Sequence, residues 1–250
     1  MFRAILIATA FALITPPALA FDIENMSDAD RAIFRSEIRD YLLENPDVLM
    51  EAIAVLEERR AAEAADMEVV MLEDNRDAIF NDGYSWVGGN PDGDVTMVEF
   101  LDYRCGFCKR AHPAVQELLA TDGNIKLIVK EFPILGAEST LASQYAIAVK
   151  MVAGDEAYSW AHDALMAHQG SVSEGFLART SRELDLNHGA IATKMESPEV
   201  AAIIDQNRAL AQSLQIQGTP SFIMGETFVR GFVELEQMRA IVDGIRAEQG

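Results

Sequence analysis

The chain has two cysteines in 250 residues, Cys105 and Cys108, and they lie in one run, Arg104-Cys105-Gly106-Phe107-Cys108. A bridge between them would close almost no loop and would hardly constrain an unfolded chain, so the pair is a poor staple. As a reagent it is well placed. An apolar run, Val95 to Tyr103, precedes it, and a helical pattern through Val115, Leu118 and Leu119 follows it, so the first sulfur falls where a strand gives way to a helix. Free backbone N–H groups and the helix dipole at that point stabilise a thiolate, and the Cys105 pKa is expected below the free value of about 8.5. Cys108, one turn on, can attack a mixed disulfide formed at Cys105. Cys105 is thus the expected nucleophile and Cys108 the resolving thiol, with a redox-active Cys105–Cys108 disulfide and no other cofactor. A rival chemistry is metal binding. Cys105, Cys108 and His112 have Cys-x-x-Cys-x-x-x-His spacing, and two thiolates suit Cu(I) or Zn(II), but a closed four-ligand site lacks a donor. Cu(I) held by Cys105 and Cys108 stays open as an alternative.

The elements that must position this pair follow in order. Turn chemistry from Asn81 to Asp94 marks the entry to a domain, then come the strand from Val95, the cysteine helix up to Asp122-Gly123, and a second strand, Ile125 to Glu131. Residues 138–214 read as helical, with breaks near Gly154, Gly170, Asn187 and Ser197-Pro198. Two short strands, Ser221 to Met224 and Thr227 to Phe232, and a last helix from Leu235 to about Arg246 complete an α/β order with a helical insertion. Upstream, Ser27 suits the N-cap of a helix from Asp28 to Glu44, and Asn45-Pro46 suit the start of a second. Leu49, Ile53, Leu56, Met67 and Val70 lie on one line of that second helix, among Glu, Arg and Ala that give them little to pack on within one chain, so the helix suits either self-association or a solvated spacer. The expected organisation is a signal peptide over residues 1–20, a helical oligomerisation segment over 21–75, and a catalytic domain over 76–250.

Three stretches resemble one family. Glu99-Phe100-Leu101-Asp102-Tyr103-Arg104-Cys105-Gly106-Phe107-Cys108 looks like the active-site region of the DsbA-like branch of thioredoxin-fold proteins. Gly218-Thr219-Pro220-Ser221-Phe222 resembles the cis-proline loop that faces the cysteines in that superfamily. Ile38-Arg39-Asp40-Tyr41-Leu42-Leu43-Glu44-Asn45-Pro46 makes the likeness strongest to the ScsC subgroup of disulfide isomerases associated with copper tolerance. The resemblance implies a thioredoxin fold with a DsbA-type helical insertion behind an α-helical oligomerisation segment, and a catalytic set of Cys105, Cys108, Glu99, Thr219 and Pro220. Glu99 would be a buried carboxylate assisting proton transfer at Cys108, with Lys130 near it. Thr219 and Pro220 would present backbone to an incoming cysteine, the proline removing an N–H that would otherwise face the sulfurs. Gly106 and Phe107 offer the Cys105 thiolate no charge, and with Thr219 they favour reshuffling over oxidation. A DsbA-type oxidase, a Cu(I)-binding protein of copper tolerance and a dedicated reductant are the alternatives. The implied partners are unfolded or misoxidised secreted proteins and a membrane redox partner of the DsbD/ScsB or DsbB type, with a homo-oligomer, a trimer first.

The ends and the charge agree with export. Arg3, an apolar stretch from Ala4 to Ile14, and Ala18-Leu19-Ala20 have the order of a cleaved signal peptide, placing the mature start at Phe21 and the protein in the periplasm. Twenty basic against 40 acidic residues disfavour nucleic acid as a partner. His162, His168 and His188 lie in the helical block without spacing that suggests a site and are expected at the surface or packed in the insertion, and the two tryptophans, Trp86 and Trp160, are expected to pack.

Overall fold

The structure, a computed structural model, describes residues 26–249. The signal segment expected over 1–20 and its cleavage point before Phe21 lie outside the described residues. Among the described residues no helix is long and apolar enough to cross a membrane. The chain divides into two compact units between Ala61 and Ala62.

Helices α1 (Asp28–Glu44) and α2 (Asp47–Asp74) form where the sequence predicts them, Ser27 accepting from the Asp30 N–H at the first N-terminus. Neither helix buries a residue before Leu72. Leu72 belongs to the second unit, whose core it enters. After α3 (Arg76–Phe80) come β1 (Trp86–Gly89), β2 (Val95–Leu101), α4 (Gly106–Asp122) and β3 (Ile125–Glu131). The insertion holds α5 (Ala137–Ala153), α6 (Asp155–Ala167), α7 (Glu174–Glu183), α8 (His188–Met195) and α9 (Pro198–Ser213), and β4 (Ser221–Met224), β5 (Thr227–Arg230) and α10 (Leu235–Gln249) close the unit. The insertion breaks where its capping residues stand. Ser173, Asn187 and Ser197 each accept from a backbone N–H of the helix they open, and Pro198 takes a first position where no N–H is needed.

The five strands run β1-β3-β2-β4-β5. The central pair, β2 and β3, is parallel, and the other neighbours are antiparallel. Both faces of the sheet are covered, so β2 and β3 read as nearly continuous apolar runs. Strand alternation divides the core in two. Met97, Leu101, Leu127, Val129, Phe222 and Met224 face α4, α10 and the insertion. Val98, Phe100, Ile128 and Ile223 face Leu72, Ile79, Leu210 and Leu214.

β1 and α3 are not legible as periodic segments; β1 falls inside the stretch read as turns. Trp-Val-Gly-Gly becomes a strand because it pairs with β3, Trp86 opposite Val129. Its glycine is needed there, since a Cβ on Gly88 would lie 2.1 Å from the Trp86 ring. Trp86 packs as expected, whereas Trp160 stays 46% exposed.

The turn before β1 carries a buried ion pair. The Lys130 ammonium, on the α9 side of β3, bonds the Asp82 carboxylate and donates to the Ala78 carbonyl at 2.7 Å. Asp82 also accepts from the Ser85 hydroxyl at 2.6 Å and from two backbone N–H groups. Burial opposes the Asp82 charge, but Lys130 and Ser85 together hold the carboxyl below its ordinary value. Asp82→Ala leaves an ammonium in the interior without its counter-charge and should cost about 3–5 kcal/mol in urea unfolding, while adding Lys130→Met should recover most of it.

Candidate active site

Cys105 is the N-cap of α4, whose first turn carries no acidic residue. The loop that feeds it is shaped by Asp102, which is fully buried. The Asp102 carboxylate accepts from the Arg104 N–H at 2.7 Å on its own loop, and from the Ile134 and Leu135 N–H groups at 2.8 and 3.0 Å on the loop after β3. The Asp102 carbonyl takes the Cys105 N–H at 2.9 Å. One buried side chain therefore ties together the chain ends leaving both central strands. Asp102 lies in the cysteine motif, yet nothing local marks it as a clamp, because its two partners on the second loop, Ile134 and Leu135, sit more than thirty residues on.

Across the rim, Thr219 and Pro220 face the first sulfur. Their peptide bond is cis, and Cys105 Sγ lies 3.1 Å from the Thr219 carbonyl oxygen. Residues 114 apart in sequence are thus in contact. Both cysteines are free thiols.

The two sulfurs are electrostatically unlike. The Cys108 thiol hydrogen-bonded to it is the largest influence on Cys105, and with the Thr219 side chain and the N–H groups of Cys108 and Phe107 it outweighs burial and brings the Cys105 pKa down to about 5. Burial, the bond to Cys105 and the nearby Glu99 charge push Cys108 far up. At neutral pH Cys105 is a thiolate and Cys108 a thiol.

Glu99 is buried on the α4 face of the sheet, and one of its oxygens has no hydrogen-bond partner. Burial, then the charge of Glu131, raises its pKa to about 8. Lys130 is not beside it. In the β2–β3 register Glu99 stands opposite Val129 and Lys130 opposite Phe100, so the two side chains leave the sheet on opposite faces. The lysine expected near Glu99 serves Asp82 instead. The titratable neighbour of Glu99 is Glu131, which burial raises to about 7 against the hydrogen bonds it accepts. Those come from Tyr103 at 2.7 Å, Tyr158 at 2.6 Å and Ser143 at 2.7 Å. Tyr103 also meets His162 Nδ1 at 3.0 Å. Sequence reasoning missed this network, because its members are far apart along the chain.

His112 does not turn to the sulfurs. Its Nε2 is 3.0 Å from an Asp163 carboxylate oxygen on α6, and its ring packs edge-on against His162. Phe107, between the cysteines, is 58% exposed, and Arg110 lies over both Phe107 and Phe232.

A thioredoxin-type sheet with an ionised cysteine at a helix N-terminus, a buried partner one turn on and a cis-proline loop across from it defines the class: residues 81–244 are a thiol–disulfide oxidoreductase domain. The thioredoxin family model matches those same residues, and the chain belongs to that family, in its DsbA-like branch. A second model, the copper resistance protein ScsC N-terminal domain, matches residues 30–63. A thioredoxin-like oxidoreductase from Silicibacter pomeroyi is 44% identical with a TM-score of 0.64, covering 70% of this chain and 99% of its own. The thiol-disulfide exchange protein alpha-DsbA2 of Wolbachia pipientis is 27% identical with a TM-score of 0.68, over 73% and 98%. Proteus mirabilis ScsC in a transitional conformation is 26% identical with a TM-score of 0.65, over 89% and 100%. The Na(+)/H(+) antiporter NhaA 1 of Salinispora arenicola is 30% identical over 157 residues, 62% of this chain, and the chain spans only 24% of that protein's length.

Alkylation of the reduced protein by iodoacetamide should follow the thiolate. Mass spectrometry should show Cys105 modification rising to half its maximal rate near pH 5, with Cys108 unmodified through neutral pH.

Proposed function

We propose that this protein is a periplasmic thiol–disulfide exchange enzyme acting as a disulfide isomerase and reductase on misoxidised secreted proteins. The observation that carries the reading is the asymmetry of the two sulfurs, an ionised Cys105 at the rim against the Thr219–Pro220 backbone and a protonated Cys108 in the interior. The Cys105 thiolate attacks a client disulfide, forming a mixed disulfide and releasing one client thiolate. A second client thiolate can then displace Cys105, which leaves the client rearranged and the enzyme unchanged. Alternatively Cys108 attacks, the client leaves reduced, and the enzyme holds a Cys105–Cys108 disulfide that a membrane partner of the DsbD/ScsB type would reduce. Glu99 has a pKa of about 8 and an unpartnered oxygen, which suits it to take the Cys108 proton during attack and return it when the disulfide opens.

Reshuffling is favoured over oxidation because Gly106 and Phe107 bring no charge to the thiolate, and the open space at Gly106 and the exposed Phe107 leave the rim apolar and accessible. The likeness to ScsC adds copper tolerance as a setting. Cys108→Ser should trap client mixed disulfides at Cys105, seen as adducts lost on reduction, while Cys105→Ser traps none. The reduced enzyme should restore activity to a scrambled multi-disulfide substrate and oxidise a reduced peptide slowly. Fast oxidation without rescue would reverse the reading.

Oligomerisation belongs to the same proposal. Ile33, Ile38, Tyr41, Leu43, Leu49, Ile53 and Leu56 are all exposed on α1 and the first half of α2, which suits a partner chain covering them, with a trimer the favoured assembly. Several active sites on one particle keep a released client at high effective concentration near another Cys105. Light scattering should find a multimer for the protein lacking residues 1–20, and a monomer for the chain beginning at Ala62, which retains exchange and loses isomerisation. A full-length monomer would remove this part.

A further inference from the structure

His112 on α4 and the adjacent His162 and Asp163 on α6 converge, each offering a ligand atom, with all three atoms within 4.8 Å of one another. His112 and Asp163 are already 3.0 Å apart. His162 is 2% exposed, with Trp86 and Tyr158 stacked against its ring. Its tautomer follows from the hydrogen bonds behind it. With Glu131 ionised the Tyr103 hydroxyl donates to it, and the Tyr103 oxygen then accepts from His162, which puts the ring hydrogen on Nδ1. In that tautomer the other ring nitrogen carries a lone pair that can serve as a ligand.

An imidazole held through its second nitrogen by an oxygen that is itself anchored to a carboxylate is the outer-shell arrangement that orients metal-bound histidines. Two imidazoles and a carboxylate, with a further position toward solvent, suit an open tetrahedral site. Ligand atoms about 2.0–2.1 Å from such an ion stand about 3.3 Å from each other. The 3.0 Å contact would open slightly and the wider separations close by rotation of Asp163, whose side chain is 52% exposed.

We propose that His112, His162 and Asp163 bind a divalent first-row transition-metal ion such as Zn(II), at a site that uses neither cysteine and is independent of the exchange reaction. The ion would link the cysteine helix to the insertion. The test uses untagged protein with Cys105→Ser and Cys108→Ser, which removes thiolate binding. Calorimetry should show one equivalent of Zn(II), and Co(II) should give ligand-field absorption without a sulfur charge-transfer band. In that background His112→Gln and Asp163→Ala should each weaken binding at least about tenfold, and Tyr103→Phe, which touches no ion, by about tenfold. Absence of stoichiometric binding in the thiol-free protein, or unchanged affinity in Asp163→Ala, would overturn the site. The half-exposed Asp163 can be removed without opening the core, so loss of fold does not obscure the result.

Discussion

The site rests on keeping one sulfur ionised and its neighbour, three residues on, protonated. Backbone N–H groups at the start of α4 and the Cys108 thiol all aim hydrogen bonds at Cys105, and Cys108 itself points into the core beneath the helix. Each sulfur helps set the other, because the bond that stabilises the Cys105 thiolate is the one that holds the Cys108 proton. That arrangement requires the first turn of α4 to be held still. Asp102 does so by binding the loops that leave both central strands, and the Thr219–Pro220 segment closes the other side of the rim.

Beneath the cysteines the protein accepts buried carboxyl groups that cost stability when ionised. Glu99 and Glu131 share one face of the sheet, and after burial the Glu131 charge adds to the cost of ionising Glu99. Glu131 is compensated by three hydroxyls, while Glu99 keeps an oxygen without a partner. An unpartnered buried acceptor is expensive for folding. The opposite face buries a full ion pair, Lys130 with Asp82, and there both Asp82 oxygens have partners in the turn before β1 while Lys130 also bonds the Ala78 carbonyl of α3. One face is therefore built to titrate and the other to stay charged.

The insertion is joined to this site by more than apolar contact. Tyr158 and Ser143 reach Glu131 from α6 and α5, His162 meets Tyr103, and His112 meets Asp163. Arg104 adds an ion pair to Glu138 and a bond to the Gly170 carbonyl.

Near-neighbour physics made much of this legible from sequence alone. The strand-to-helix placement of Cys105 and Cys108, the cap at Ser27, and the breaks near Gly154, Asn187 and Ser197-Pro198 act over a few residues, so spacing and residue type reveal them. The order of the elements and the lowered pKa expected at Cys105 follow from the same local rules, whereas the rise at Cys108 comes first from burial in the packed core. What the tertiary structure decided depends on register and on contacts between distant segments. Whether Lys130 lies beside Glu99 is a matter of strand parity, and the pairing of Glu99 with Val129 sent the lysine to the other face. β1 exists because β3 offers it an edge, not because Trp-Val-Gly-Gly prefers to be extended. The Glu131, Tyr103 and His162 network and the meeting of His112 with Asp163 bring together residues tens of positions apart. No local pattern encodes them, because each side chain's role is set by partners that only the packed fold supplies.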